Sequence, residues 1–294
     1  MKLGAVSFMT DISISPVEIA QALEAHGFES FWAGDHSHIP VEPGGGPPID
    51  TRTGRPVPDE YTRLLDPFIA LTAAAVSTDR LRLGTGICLV NERDPIHTAK
   101  SVASLDHLYT GRFLFGIGGG WNAREMANHG ADIGVRWPAM RERVLAMREI
   151  WEGEQASFSG DHVHFGPLLS WPKPARRVPV LIGGNWRNIP RVVEYGDAWC
   201  PGTPDLTEDA LRRVTGQLWS QAAAAGRTDV SLTAFHVTPV NDLAPGDQRC
   251  LTRDRFDLLR EVGAERVVVV LPPGREDCLR MIEHYAAELP ERST

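Results

Sequence analysis

Four places in this 294-residue sequence gather groups able to move a proton or cradle an anion, and each follows a short apolar run. The first, Phe31-Trp32-Ala33-Gly34-Asp35-His36-Ser37-His38, is the richest. Imidazole titrates near neutrality, so His36 can give or take a proton beside a hydride acceptor, with Asp35 orienting a ring or fixing the loop. His38 is assigned to the substrate side of the same cluster. A turn capped by Asp35, with both histidines solvated, accounts for these residues equally well. The spacing His36-x-His38 also matches paired metal ligands. Only His236 is placed to join them, and no acid ends the last apolar run before Pro272-Pro273, so no metal is expected.

The second place is Leu83-Gly84-Thr85-Gly86-Ile87-Cys88. Two glycines in a core strand sacrifice packing, which close approach of a ligand or an irregular backbone would explain, as would a simple bulge. The third, Phe115-Gly116-Ile117-Gly118-Gly119-Gly120-Trp121-Asn122, lacks the acidic residue about twenty positions on that a dinucleotide-binding βαβ unit needs. Its bare glycines let a ligand lie against backbone, with Trp121 lining the cavity or packing at a helix start. The fourth, Leu181-Ile182-Gly183-Gly184-Asn185-Trp186-Arg187, runs into a short helix whose amides, helped by Arg187, suit a phosphate. A plain tight turn is the alternative. No G-x-S-x-G elbow is present, and no cysteine sits beside a base.

The elements that must position these groups follow one pattern. Apolar runs at 2–8, 30–34, 81–89, 113–117, 179–183, 198–201, 230–237 and 266–271 alternate with helical periodicity at 16–26, 66–76, 96–109, 137–151, 188–195, 207–225, 252–262 and 275–288. Runs apolar throughout suit strands covered on both faces, and eight strand–helix units without an interdomain linker predict a closed (β/α)8 TIM barrel, α/β in class, as a single domain over 1–294. An open doubly wound sheet is the main rival. In a barrel the strand ends converge on one face, which would bring all four places together. Two insertions interrupt the alternation. Residues 36–62, after the second strand, are rich in Gly and Pro and read as a mobile lid; residues 156–177, before the fifth, read as a hairpin around Ser159-Gly160-Asp161 at the opposite face. Asp106 is expected in a polar network, His97 in solvent, and Trp171 and Trp199 in packing.

Bulk properties narrow the classes. A net charge of −8 opposes non-specific nucleic-acid binding. No run of eighteen apolar residues exists, so no membrane span is expected, and Met1 leads into no signal-like segment. Four scattered cysteines form no CxxC pair, which fits a reducing cytoplasm.

The run LGTGICLVNERDPIHTAKSVASLDHLYTGRFLFGIGGGW and the later VPVLIGGNWRNIPRVVEYGDAWCPG, with FWAGDH at the second strand, resemble the luciferase-like monooxygenase superfamily. Within it the sequence is most similar to the coenzyme F420-dependent oxidoreductase branch. The resemblance implies a TIM barrel holding this deazaflavin, with FMN as alternative, and transferring hydride to or from a small-molecule substrate. It implies a non-prolyl cis peptide at Gly86-Ile87, cofactor-tail contacts at Gly183 and Gly184, and proton transfer at His36 next to Asp35; together with the glycine-rich strand ends above, the expected cofactor contacts are Thr85, Gly86, Ile87, Gly118, Gly119, Gly183, Gly184, Asn185 and Arg187. A homodimer is common in the superfamily. An FMN-dependent monooxygenase and a non-catalytic flavin-binding barrel are the other readings. One departure stands out: where sugar-phosphate dehydrogenases of this branch carry an acid after the strand-four glycines, this sequence has Trp121, which implies that the acid partner is missing.

Overall fold

In the computed structural model, which describes residues 1–41, 48–50, 54–238 and 243–288, each apolar run forms a strand whose two faces are covered. The strands are β1 (Lys2–Ser7), β2 (Ser30–Ala33), β3 (Arg82–Thr85), β4 (Phe113–Gly118), β5 (Val180–Gly183), β6 (Ala198–Cys200), β7 (Ser231–His236) and β8 (Arg266–Leu271). All neighbours pair in parallel, β8 runs on to β1, and the ring is closed by β4 against β5, where Ile117 stands opposite Ile182. This is a closed (β/α)8 barrel, as the alternation implies, and not an open sheet.

Helices wrap the barrel in the expected order: α1 (Pro16–Ala25), α2 (Pro67–Val76), α3 (Pro95–Leu108), α4 (Ala123–Asn128), α5 (Arg136–Glu152), α6 (Ile189–Tyr195), α7 (Glu208–Ala224), α8 (Arg253–Glu261) and α9 (Arg275–Glu288). The first three open on proline behind a side-chain cap. Ser15 accepts the Glu18 amide, Asp66 those of Phe68 and Ile69, and Asp94 that of His97, which satisfies donors the first helical turn leaves open. Helix α4 is six residues long and too short to show as periodicity. No helix among the described residues is long and apolar enough to cross a membrane. All four cysteines are buried and unpaired.

The expected third strand does not run unbroken. It stops at Thr85, passes through a cis peptide at Gly86-Ile87, and pairs again at Cys88–Leu89 against Ile117 and Gly118. The insertion after β2 lies partly outside the described residues, at 42–47 and 51–53. Its described part forms a two-rung ladder between Ile49–Asp50 and Arg55–Pro56, then a 3-10 turn at Asp59–Thr62. That end is tied to the loop after β1: the Leu65 amide donates to the Met9 carbonyl at 2.9 Å, and Arg63 pairs with Asp11. The hairpin before β5 is present, Ala156–Ser159 against His164–Leu168, its tip fixed by Glu142 accepting the amides of Asp161, His162 and Val163.

Asp106 joins the Phe113 and Ala175 amides as expected, and the His97 side chain is in solvent. Trp199 is buried, but Trp171 is not. It lies beyond the helical layer with 61% of its surface exposed, the Lys173 ammonium 5.3 Å from its ring, so its assignment to packing is corrected.

At the N-terminal end the barrel interior holds charge. Arg266 on β8 is buried and makes two 2.6 Å hydrogen bonds to Glu29 and one of 3.2 Å to Thr233 Oγ1. Its guanidinium lies 5.8 Å from the Trp32 ring, whose indole N–H reaches Ser30 Oγ at 2.9 Å. The same indole explains Gly84: a Cβ there would stand 2.2 Å from it. Packing of the chain on itself, and no ligand, requires that glycine.

Candidate active site

The C-terminal strand ends enclose a cavity of about 1000 Å³, bordered by β2, the break in β3, the β4–α4 and β5–α6 turns, and the described end of the insertion. Such a space holds a cofactor-sized ligand and more. Asp35, His36, Gly86, Ile87, Gly118, Gly119, Trp121, Gly183, Gly184, Asn185 and Arg187 all line it, so the barrel brings together eleven of the thirteen residues singled out from sequence. The two others do not reach it. Thr85 is buried and its hydroxyl donates to the Gly116 carbonyl at 2.6 Å, which locks β3 to β4 behind the cavity wall. His38 turns outward, its ring nitrogens on Ser37 Oγ at 2.8 Å and Asn128 Nδ2 at 2.7 Å.

His36 brings an imidazole to the cavity. Its Nδ1 lies 2.8 Å from Glu125 Oε2 and 3.1 Å from Oε1. A carboxylate accepts, so Nδ1 carries the hydrogen and Nε2 is left for chemistry. The Glu125 side chain is wholly buried in the first turn of α4, where Asn122 caps the helix by accepting the Arg124 and Glu125 amides. Tyr61 stacks on the imidazole at 5.0 Å between centroids, and Trp121 meets it edge-on at 5.7 Å. The ring is therefore held on three sides. Glu125, four residues after Trp121, gives the imidazole a carboxylate partner, but it does not itself line the cavity. A sequence signal was available: Asn122-x-x-Glu125 is a capping pattern directly after the glycines.

Asp35 faces away from His36. Its carboxylate accepts two hydrogen bonds from Arg93, at 2.7 and 2.9 Å, and the Leu89 amide at 3.0 Å. It anchors the β2 loop to the turn after β3, and its part in the site is positional. Beside it Glu92, also overlooked in the sequence, is buried in the 3-10 turn Val90–Glu92. Burial, then the neighbouring Glu125 carboxylate, push its carboxyl up to about 9. Burial likewise raises the Cys88 thiol, which is no nucleophile here.

The glycines serve the chain as much as a ligand. The Ile87 side chain occupies the space that a Cβ at Gly118 would need, 2.1 Å away, and crowds one at Gly183, 2.9 Å away. Gly184 has φ +107°, which favours glycine, and its amide donates to the Cys200 carbonyl at 3.2 Å, while the Arg187 amide is taken by Asn185 Oδ1. Those amides are spent within the protein. Positive charge at this end comes instead from side chains: Arg136 and Arg191 flank the Trp137 ring at 5.0 and 4.4 Å, and Arg187 lies over Trp186. His236 sits apart, buried, with Nε2 3.3 Å from the Arg249 carbonyl oxygen, and burial lowers its proton affinity. Among the described residues no three His, Cys, Asp or Glu side chains gather as metal ligands would.

The profile of the luciferase-like monooxygenase family matches residues 15–243, most of the chain. This protein belongs to the luciferase-like monooxygenase family. Membership makes it an enzyme of the oxidoreductase class. An uncharacterised protein of Mycobacterium tuberculosis is 36% identical to this luciferase-like chain over 294 residues, covering 98% of this chain and 99% of that one. An F420-dependent hydroxymycolic acid dehydrogenase of the same organism is 27% identical over 217 residues, 72% of this chain and 55% of that protein. Among solved structures, an F420-dependent secondary alcohol dehydrogenase in complex with an F420-acetone adduct superposes with a TM-score of 0.76 at 18% identity, covering 98% of both chains. That likeness speaks for the luciferase-like barrel fold.

Proposed function

We propose that this protein is a coenzyme F420-dependent oxidoreductase that exchanges hydride between the deazaflavin and a small organic substrate. The observation that carries the reading is His36, held by Glu125 and two aromatic rings with Nε2 left for the cavity. F420-dependent enzymes among the relatives and fold neighbours support it.

The residues present fit such a cofactor. The cavity floor at Gly86 and Ile87 is backbone and aliphatic side chain, suited to a flat ring, and Asn185, Arg187 and Arg191 offer donors and charge to an anionic tail. When bound, the deazaflavin supplies the hydride donor or acceptor. The protein supplies orientation and the proton. In the oxidising direction His36 Nε2 accepts the proton of a substrate hydroxyl; in the reducing direction it returns one to a carbonyl oxygen. Glu125 fixes the imidazole tautomer and stabilises the cation that forms. Trp121 and Tyr61 shield the ring from water. We further propose a homodimer, the assembly common in the superfamily that the sequence resembles.

Titration of the purified protein with F420 and with FMN, followed by fluorescence, tests the assignment. Saturable F420 binding and oxygen-independent turnover are the expected result. Tighter binding of FMN, with substrate oxidation that requires oxygen, overturns it.

A further inference from the structure

The protein buries more carboxyl groups beneath the cavity than it has cations to match. Asp35, Glu92 and Glu125 are all buried side by side where α4 packs on the 3-10 turn at Val90–Glu92. Arg93 is the cation nearest Glu92, and its guanidinium is spent on Asp35 and on Asp66. From α5, Arg143 reaches this turn but gives its hydrogen bond to the Arg93 carbonyl, and Arg136 gives one to the Ile133 carbonyl. Cys88 adds a neutral thiol on the Asp35 side. Glu125 has His36. Glu92 is left with no cation hydrogen-bonded to it, and its Oε1 lies buried with no hydrogen-bond donor in reach.

An ionised carboxylate in that position would face Glu125 and Asp35 across a low-dielectric gap, with only the attraction of Arg93, already bound to Asp35 and Asp66, set against burial and repulsion. A protonated one has a use for the position, because its O–H can donate to the Glu125 carboxylate. We propose that Glu92 is a neutral carboxylic acid that acts through Glu125 to set the proton affinity of His36, forming a chain Glu92–Glu125–His36 that ends at the cavity. Glu92 touches neither cavity nor ligand. It is a positioning residue.

The physical consequence runs along the chain. Each hydrogen bond donated to Glu125 draws negative charge away from His36, so the proton on Glu92 lowers the basicity that Glu125 confers on the imidazole. Without that donor, Glu125 would hold the imidazolium more tightly, and His36 would release its proton less readily at neutral pH. Gly120, at φ +80°, lets the chain pass close to the pair; a Cβ there would lie 3.4 Å from Glu92 Oε1.

The role given to His36 in catalysis rests on the proposed function, but its titration does not, and the test is made on cofactor-free protein. The midpoint of His36, followed by NMR in histidine-labelled protein and assigned through His36→Gln, is compared in wild type, Glu92→Gln and Glu92→Leu. Glutamine reproduces a neutral donor of the same shape, so the expected midpoint stays within about 0.3 pH units of wild type. Leucine removes the donor, and the expected midpoint rises by about half a unit to one unit, up to tenfold in proton affinity. A fall of a unit or more in Glu92→Gln would mean that a negative charge had been removed, and would overturn the proposal. An unchanged midpoint in both variants would also overturn it, because Glu92 would then be merely structural. Failure of F420 binding in the unmodified protein, with these shifts as expected, would count against the proposed function and leave this chain standing.

Discussion

Both ends of the barrel interior bury charge, and they do so in opposite ways. At the N-terminal end Arg266 and Glu29 meet in two short hydrogen bonds, with Thr233 accepting a third from the guanidinium. At the C-terminal end Glu92, Glu125 and Asp35 crowd together, Arg93 answers only one of them, and Glu92 Oε1 has no donor. Burial pushes the Glu29 carboxyl up, but the Arg266 hydrogen bonds more than offset it and leave it below the ordinary range. Glu92 is driven the other way. A saturated pair holds strands together and does nothing else. An unbalanced one keeps a proton close to where a proton is needed, which is the usual mark of a working site.

Substitutions at the two ends should therefore fail differently. His36→Ala is expected to lower the rate of hydride transfer by about 10² to 10⁴, as loss of a proton-transfer group does, and to lower the thermal midpoint as well, because the buried Glu125 carboxylate loses its donor. Single-turnover kinetics with F420 measure this, and a loss below threefold would remove His36 from the mechanism. Arg266→Met should leave catalysis aside and cost about 2–4 kcal/mol in denaturant unfolding, because the largely buried Glu29 loses both short hydrogen bonds and keeps only the longer contact with Arg82 at 3.6 Å as an ion pair. Adding Glu29→Leu should recover much of that loss; if it does not, the pair is not what the arginine serves.

A smaller effect is expected from Gly84→Ala, which drives a methyl group into the Trp32 indole and should cost about 1–3 kcal/mol of stability without touching the cavity. Should it instead weaken cofactor binding at full stability, the glycine belongs to the site after all. Arg187→Ala should weaken F420 binding about three- to tenfold and flatten its salt dependence, read by titration at two ionic strengths. The mildest effect concerns acid. Because Glu29 is held below its usual value of 4.5, its contribution to stability is complete above that pH and is lost as pH falls through the lowered value. Unfolding midpoints of wild type should therefore decline faster below pH 4.5 than those of the Arg266→Met, Glu29→Leu double variant.

The barrel was legible because periodicity reports burial, and the barrel strands are buried on both faces along nearly their whole length. The cavity was legible too, since strand ends in a closed barrel have only one face on which to meet. What escaped was partnership. Glu125 and Glu92 stand among ordinary charged residues in WNAREM and VNERDP, and only the fold reveals that one α4 turn and one 3-10 turn bring them under His36. Asp35 beside His36 suggested a shared task, yet a carboxylate one residue away along a strand end points elsewhere, here to Arg93. Of the backbone donors in the Gly183-Gly184 turn, a sequence cannot show that the Gly184 amide is already taken by the Cys200 carbonyl and that of Arg187 by Asn185. Trp171 misled for the converse reason: a large aromatic ring is usually interior, and a surface ring on a hairpin's exit carries no mark in the sequence.

The wedge of Ile87 between Gly118 and Gly183 bears on how this family member can change over time. Those three positions, from three separate strand ends, share one volume, so a larger residue at either glycine demands a smaller one at 87, and single steps pass through a damaged intermediate. Tyr61 and Trp121, at the rim, each meet the His36 ring from a different side and do not fill one shared volume. The floor of the site is thus inherited as a block while its walls can be revised one residue at a time, and new substrate preferences in descendants of this chain should arise at the rim first.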